Sequence, residues 1–137
     1  MNRNLQDRVV SIAIGVRNWT QGLADETLYH PGDLLGWCAI ASGELHKRLK
    51  SFGIKSTICM SESDAHGHHC FVMVEDYVVD VTATQFDEYM TVPILIMHSK
   101  EAEVNDFHVP IKEFGTGKAL RQHQLRDKWP SKQLAYK

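Results

Sequence analysis

The chain contains only three cysteines, Cys38, Cys59 and Cys70, an odd count too small for a disulfide framework. Reduced thiols in a cytoplasmic compartment are therefore expected. No apolar run approaches the roughly 18 residues of a membrane span. The polar stretch Met1 to Arg8 runs straight into a helical pattern, without the apolar core of a signal peptide. A formal net charge of −2 excludes a general nucleic-acid binder, which would carry a basic excess. There is neither a Cys-x-x-Cys pair nor a His-Glu-x-x-His helix, so the usual zinc spacings are missing. Internal repeats, low-complexity tracts and Pro/Gly-rich linkers are also missing. Residues 1–137 accordingly read as one domain. The acidic stretch Glu101 to Asp106 and the basic tail Lys118 to Lys137 read as solvated surface.

With 43% hydrophobic and 23% charged residues, the composition is that of an ordinary globular domain. Leu5, Val9, Ile12, Val16 and Trp19 recur in steps of three and four, predicting a helix over 5–19. Thr20 to Gly36, with Gly22, Pro31 and Gly32, reads mostly as loop. A second helix is marked by Cys38, Ala41, Leu45, Leu49 and Phe52 on one face. Asp33 or Gly36 would cap its start, Lys47, Arg48 and Lys50 suit its C-terminal end, and Gly53 stops it. Ile54–Met60 follows as a strand and Ser61–Gly67 as a polar loop. His68–Val74 and Tyr77–Thr82 are β-rich runs joined at Glu75-Asp76. Thr91–His98 predicts another strand with Pro93 near its start, Val104–Ile111 an edge strand, and Gly117–Lys128 a helix ended by Pro130. Helices first and antiparallel strands after them indicate an α+β domain, with N-terminal helices packed on an antiparallel sheet.

Within this pattern Cys38 opens a helix. Unpaired backbone N–H groups and the positive end of the helix dipole favour its thiolate. It shares a stripe with Ala41, Leu45 and Leu49, so its sulfur should face the sheet beneath. A buried structural cysteine is the plainer reading of such a position. Cys59 and Cys70 lie inside strands, away from any helix terminus, and read as core.

A nucleophilic thiol needs a base, and strand register selects one. Alternate strand residues share a face, so His69 lies with Phe71 and Met73, and His68 with Cys70 and Val72. If Glu75 and Asp76 form a two-residue turn, Val74 pairs with Tyr77 and Phe71 falls opposite Asp80. Asp80 is then the diagonal neighbour of His69, with Cβ atoms roughly 7–8 Å apart. A four-residue loop gives the same result, whereas a three-residue loop would select His68. Val78, Val79 and Val81 surround Asp80, and a carboxylate among apolar neighbours requires a partner. It would fix the imidazole tautomer and leave the other nitrogen to take the thiol proton.

Three blocks carry a family resemblance: Gly36-Trp37-Cys38-Ala39-Ile40-Ala41-Ser42, His69-Cys70-Phe71-Val72-Met73-Val74, and Val79-Asp80-Val81-Thr82. They resemble the motifs of the transglutaminase-like superfamily, a group related to papain-like cysteine peptidases and arylamine N-acetyltransferases. The family order is cysteine at a helix start, histidine on a following strand with an aromatic two positions on, and aspartate on the next strand. This chain keeps that order over about 50 residues, Leu35 to Phe86. The resemblance implies a papain-like or transglutaminase-like core with Cys38 as nucleophile, His69 as general base and Asp80 as orienter. It also implies a protein or peptide substrate, a thioester intermediate, and no cofactor.

Departures accompany the resemblance. Papain-type enzymes place an oxyanion-hole glutamine a few residues before the cysteine, but here Gln21 is distant. The backbone N–H of Cys38 is another donor. Trp37 resembles the aromatic beside the nucleophile and reads equally as packing, while Thr84, Gln85 and Phe86 follow the aspartate strand closely enough to line a cleft. Two other readings stay open. One is a catalytically inactive peptide- or protein-binding module on the same fold. The other is a zinc domain built from His66, His68, His69 and Cys70, with Cys38, Cys59 and His46 elsewhere.

Overall fold

The computed structural model of the chain describes residues 1–26, 36–64, 67–86, 89–103 and 106–129. Helix α1 spans Arg3–Asp25 and helix α2 Cys38–Ser51. Strands β1 (Thr57–Ser63), β2 (Gly67–Val74), β3 (Tyr77–Asp80), β4 (Leu95–His98) and β5 (Lys112–Phe114) form one sheet in the order β4-β3-β2-β1-β5. Every pairing among them is antiparallel. A single helical turn, α3 (Ser99–Ala102), follows β4, and α4 spans Gly117–Arg126. The α+β class, with N-terminal helices on an antiparallel sheet, is as the sequence predicts.

Helix α1 starts on Asn2, whose Oδ1 accepts the Leu5 N–H at 2.8 Å. It continues six residues beyond the predicted end at Trp19, because the buried stripe Val9, Ala13, Val16 extends through Thr20 and Ala24. The Thr20 hydroxyl is satisfied inside the helix by donating to the Val16 carbonyl at 2.8 Å, so burying it carries no unpaired group. Ala24 then packs under Trp37 and Ile40. The part of the predicted loop up to Glu26 is therefore helix and its cap, and Pro31, Gly32 and Asp33 lie outside the described residues. Gly36 is not the α2 cap. Trp37 holds that position without a side-chain bond, and Gly36 takes the left-handed conformation (φ 83°) that admits the chain to the helix. At the other end Gly53 (φ 75°) terminates α2 as predicted, and the Ile54 N–H returns to the Leu49 carbonyl at 2.9 Å.

Ile54 thus belongs to the helix terminus, and β1 begins three residues later than predicted. It also runs on to Ser63, because Ser61, Glu62 and Ser63 pair with His69, His68 and Gly67. The residues predicted as a loop over 61–67 are mostly strand, and His66 lies outside the described residues. Between β2 and β3 the two-residue turn is present, with Val74 opposite Tyr77 and Val72 opposite Val79. Glu75 takes a positive φ of 52° there, a conformation a Glu side chain rarely adopts. The predicted edge strand over 104–111 is replaced by a 3-10 turn at Asp106–His108, and β5 comes after it. Pro110 has no N–H to give a ladder, whereas Phe114 can bury its ring opposite Ile58. Residues 104–105, Pro130 and the rest of the basic tail lie outside the described residues.

Alternation in β2 divides the interior. Val72 and Val74 face α1 and α2 together with Val79 and Val81, and Cys70 joins Cys38, Ile58, Met60 and Leu120 between α2 and α4. Phe71 and Met73 face the opposite way, into a cluster with Cys59, Val78 and Ala102. No helix among the described residues is long and apolar enough to cross a membrane.

Candidate active site

The β2–β3 ladder stops at Val72–Val79, one pair before Asp80 would meet Phe71. Beyond that point Asp80 pairs only with Leu95 of β4, and its side chain gathers the polar groups around it. His69 donates its Nε2–H to Asp80 Oδ2 at 2.6 Å, the diagonal contact expected from register. The other carboxylate oxygen, Oδ1, accepts the Thr82 N–H at 2.9 Å and the Thr82 hydroxyl at 3.3 Å. His69 and Asp80 are 2% and 1% exposed, so their charges interact with little solvent screening.

A third side chain shares the carboxylate. His108, from the 3-10 turn after α3, donates Nε2–H to the same Asp80 Oδ2 at 2.7 Å. Its ring stands edge-on to His69, Phe71 and Tyr89, and its Nδ1 has no hydrogen-bond partner among the described residues. Sequence reasoning did not select His108. It is an isolated histidine in an irregular segment, 28 residues from Asp80, and no periodicity connects the two.

Cys38 meets this group from the helical side. Met60, opposite Cys70 in the sheet, turns its carbonyl to the Ile111 N–H at 2.8 Å, toward β5. Residues opposite each other in an antiparallel pair exchange both hydrogen bonds or neither, so the Cys70 N–H points the other way, toward the β3 side. Cys38 and Cys70 lie in one buried cluster. The groups that act on the Cys38 thiol come from both faces of β2, the Cys70 thiol and the His69 imidazole. The Cys70 thiol does most to lower the Cys38 pKa. Burial opposes it, and the hydrogen bond and charge of His69 together with the Cys70 N–H complete a net lowering. Cys70 is pushed up in turn, by donating to Cys38 and by burial. Cys70 lies in the core as read, fully buried, in the same cluster as the candidate nucleophile. Cys59 does lie in the core, and burial with nearby Glu113 raises its thiol to about 12.

Burial by itself would lower the His69 pKa. The Asp80 charge and hydrogen bond, with a smaller share from Cys38, raise it to about 10. For Asp80 burial acts upward, but the His69 charge and the two imidazole hydrogen bonds hold it far below the usual carboxylate range. With Nε2 committed to Asp80, Nδ1 is the nitrogen left for the thiol side. Gln85 places its amide Nε2 3.4 Å from that Nδ1 while also donating to the Thr82 carbonyl at 3.1 Å. Phe86 closes edge-on over the His69 ring at 4.7 Å.

Of the other predicted residues, Gln21 bonds along its own helix. It donates to Asp25 at 3.1 Å and accepts from Arg17 at 3.5 Å. Trp37 is packed with Trp19, Leu23, Ala24 and Ile40. His68 faces away from Asp80, stacked on Trp129 at 5.0 Å and 3.4 Å from Glu62. Arg17 ties the segment after β3 to α1 through the Val81 carbonyl at 3.1 Å and Thr84 Oγ1 at 2.8 Å.

The histidine–cysteine cluster considered for zinc does not assemble, because His68 and His69 take opposite faces and His46 bonds to Ser56 at 2.8 Å. His69, Asp80 and His108 do bring three ligand atoms within 4.8 Å of one another. Ligands about 2.0–2.1 Å from a tetrahedral ion stand about 3.3 Å apart. The N···O separations of 2.6 and 2.7 Å are those of hydrogen bonds with a proton between them, so the set as arranged does not fit an ion.

Models of known protein families give no match to the chain, and comparison with characterised proteins and with solved structures gives none either.

Proposed function

We propose that the chain is a cysteine-dependent acyl-transfer enzyme, acting on amide carbonyls through a thioester at Cys38. The observation that carries this reading is the relay of Asp80 on His69 and His69 on Cys38, drawn from three elements and closed off from bulk water. A buried thiol with only a packing role does not need an imidazole beside it, nor a carboxylate buried behind that imidazole. Together with the motif order, the arrangement supports a papain-like or transglutaminase-like core in a cytoplasmic protein.

In this mechanism Cys38 attacks the carbonyl, and His69 Nδ1 carries the thiol proton and delivers it to the departing amine. Asp80 holds the imidazolium and fixes the ring. The carbonyl oxygen receives the backbone N–H of Cys38, which in the first turn of α2 has no acceptor within the helix, with the Gln85 amide as a second donor. Water as the second acceptor completes hydrolysis of a protein or peptide amide, which is the favoured outcome; an amine would complete transamidation.

The test is labelling of the full chain with a thiol-directed acylating probe at mildly acidic pH. Cys38 should acylate while Cys59 stays unmodified, and both Cys38→Ala and His69→Ala should abolish labelling. Labelling that persists in His69→Ala at the wild-type rate would reject the enzyme. An inactive binding module would leave Cys38 no faster than an ordinary thiol.

A further inference from the structure

We propose that Cys38 and Cys70 are a redox pair, in which a hydroperoxide oxidises Cys38 and Cys70 closes the product to a disulfide. The inference goes beyond the acyl-transfer reading and does not depend on it. It rests on two free thiols, Cys38 at the head of α2 and Cys70 on β2, packed in one buried cluster that excludes the third cysteine.

The contact follows from the fold. Cys70 leaves β2 on the face that α2 covers, and there it joins Cys38, from the head of α2, in one buried cluster. Both cysteines are free thiols. Cys38 is 3% exposed and Cys70 fully buried, so Cys38 is the one of the pair that meets an oxidant from solvent first. Cys59 belongs to the cluster on the other face of β2. Cys70 is therefore the thiol placed to intercept an oxidised Cys38.

The steps balance. The Cys38 thiolate attacks the distal peroxide oxygen; an S–O bond forms, the O–O bond breaks, and sulfur is oxidised by two electrons to a sulfenic acid. The departing alkoxide or hydroxide takes a proton from the His69 imidazolium and leaves as alcohol or water. The Cys70 sulfur then attacks the sulfenic sulfur. An S–S bond forms, the S–O bond breaks, and hydroxide leaves with the Cys70 proton as water. The disulfide ties up Cys38 in a form that a reductant restores, and it stops the irreversible passage to sulfinic acid.

The experiment exposes the full chain to hydrogen peroxide, removes the oxidant, unfolds the chain and blocks remaining thiols with N-ethylmaleimide in denaturant, and maps the peptides by mass spectrometry. Expected is a Cys38–Cys70 crosslink (a loss of about 2 Da) that dithiothreitol removes, with the maleimide on Cys59. At the same dose Cys70→Ser and Cys70→Ala should accumulate sulfinic acid on Cys38 (a gain of about 32 Da) at least about tenfold more than wild type. Wild-type chain that gains sulfinic acid without the crosslink, or that crosslinks Cys59 instead, overturns the proposal. The wild-type map decides the matter even if a Cys70 variant does not fold. A chain that crosslinks but never acylates would retain this inference and reject the enzyme.

Discussion

His108 and His69 donate to the same oxygen of Asp80, at 2.7 and 2.6 Å, from elements that share no local sequence relationship. The carboxylate is therefore more than the third member of a linear relay. It is the node on which two imidazoles and Thr82 converge, and its removal would leave several buried donors without an acceptor.

Replacing Asp80 separates its structural and chemical roles. Asp80→Ala strands both imidazole N–H groups and should cost about 3–5 kcal/mol, read from the urea midpoint. Asp80→Asn keeps an acceptor but removes the charge that raises His69. It should therefore fold more stably than Asp80→Ala while losing about 10³–10⁴-fold in the acylation rate. Equal acylation by Asp80→Asn and wild type would remove the carboxylate from the mechanism.

Stability against pH gives a second check, cleanest in Cys38→Ala. The native thiolate contributes with its own sign, since a lowered thiol pKa adds stability above the unfolded value that disappears as pH falls. Without it, His69 governs the alkaline side. Its folded pKa is about 10 in the wild type and stays raised by Asp80 in the variant, though by less, so its contribution is complete below about 6.5 and lost as pH rises toward 10. Asp80 governs the acid side. Its folded pKa is depressed, so its contribution is complete above about 4 and lost as pH falls below that. Urea midpoints should be highest between about pH 4 and 6.5 and decline toward pH 10. A midpoint that climbs steadily from pH 7 to 10 would contradict the buried ion pair.

His108 should behave as a positioning residue. His108→Ala removes one donor to Asp80 and opens a cavity beside Phe71 and Tyr89, for a cost of about 2–4 kcal/mol. His108→Gln, which can still donate, should recover part of the stability and most of the acylation rate. Its pH–rate profile should keep the wild-type shape if the residue works only through the position of Asp80. Failure of the Gln variant to improve on Ala in either measurement would assign His108 to packing alone.

Gln85 offers a test of the thiol side of His69. Its amide is 3.4 Å from Nδ1, and it is only partly buried. Gln85→Ala should change the urea midpoint by no more than about 1 kcal/mol and slow acylation by about 10–100-fold. An unchanged rate would remove the side chain from the oxyanion and imidazole environment.

Much of this arrangement was legible along the chain because it depends on short-range periodicity. The helix that begins at Cys38, the stop at Gly53, and the two-residue turn at Glu75-Asp76 are local features. Strand period alone then distinguishes His69 from His68. The ends of elements were less legible. Nothing in Thr20 announces that its hydroxyl will be satisfied by Val16, yet that bond lets α1 continue to Asp25. The strand predicted near Val104 failed because Val, Phe and Ile suit a strand only where a neighbour offers an edge. Here the free β1 edge is taken two residues after Pro110.

By itself the sequence determined the α+β class, the helix head that carries Cys38, and the His69–Asp80 face, since these follow from the 3.6- and 2-residue repeats of the backbone. Only the tertiary structure decided that the β2–β3 ladder ends at Val79 and that Cys38 and Cys70 share one buried cluster. It alone brought His108 from a distant turn onto Asp80. Those contacts join side chains with no fixed spacing between them, so they exist only once the helices have closed on the sheet.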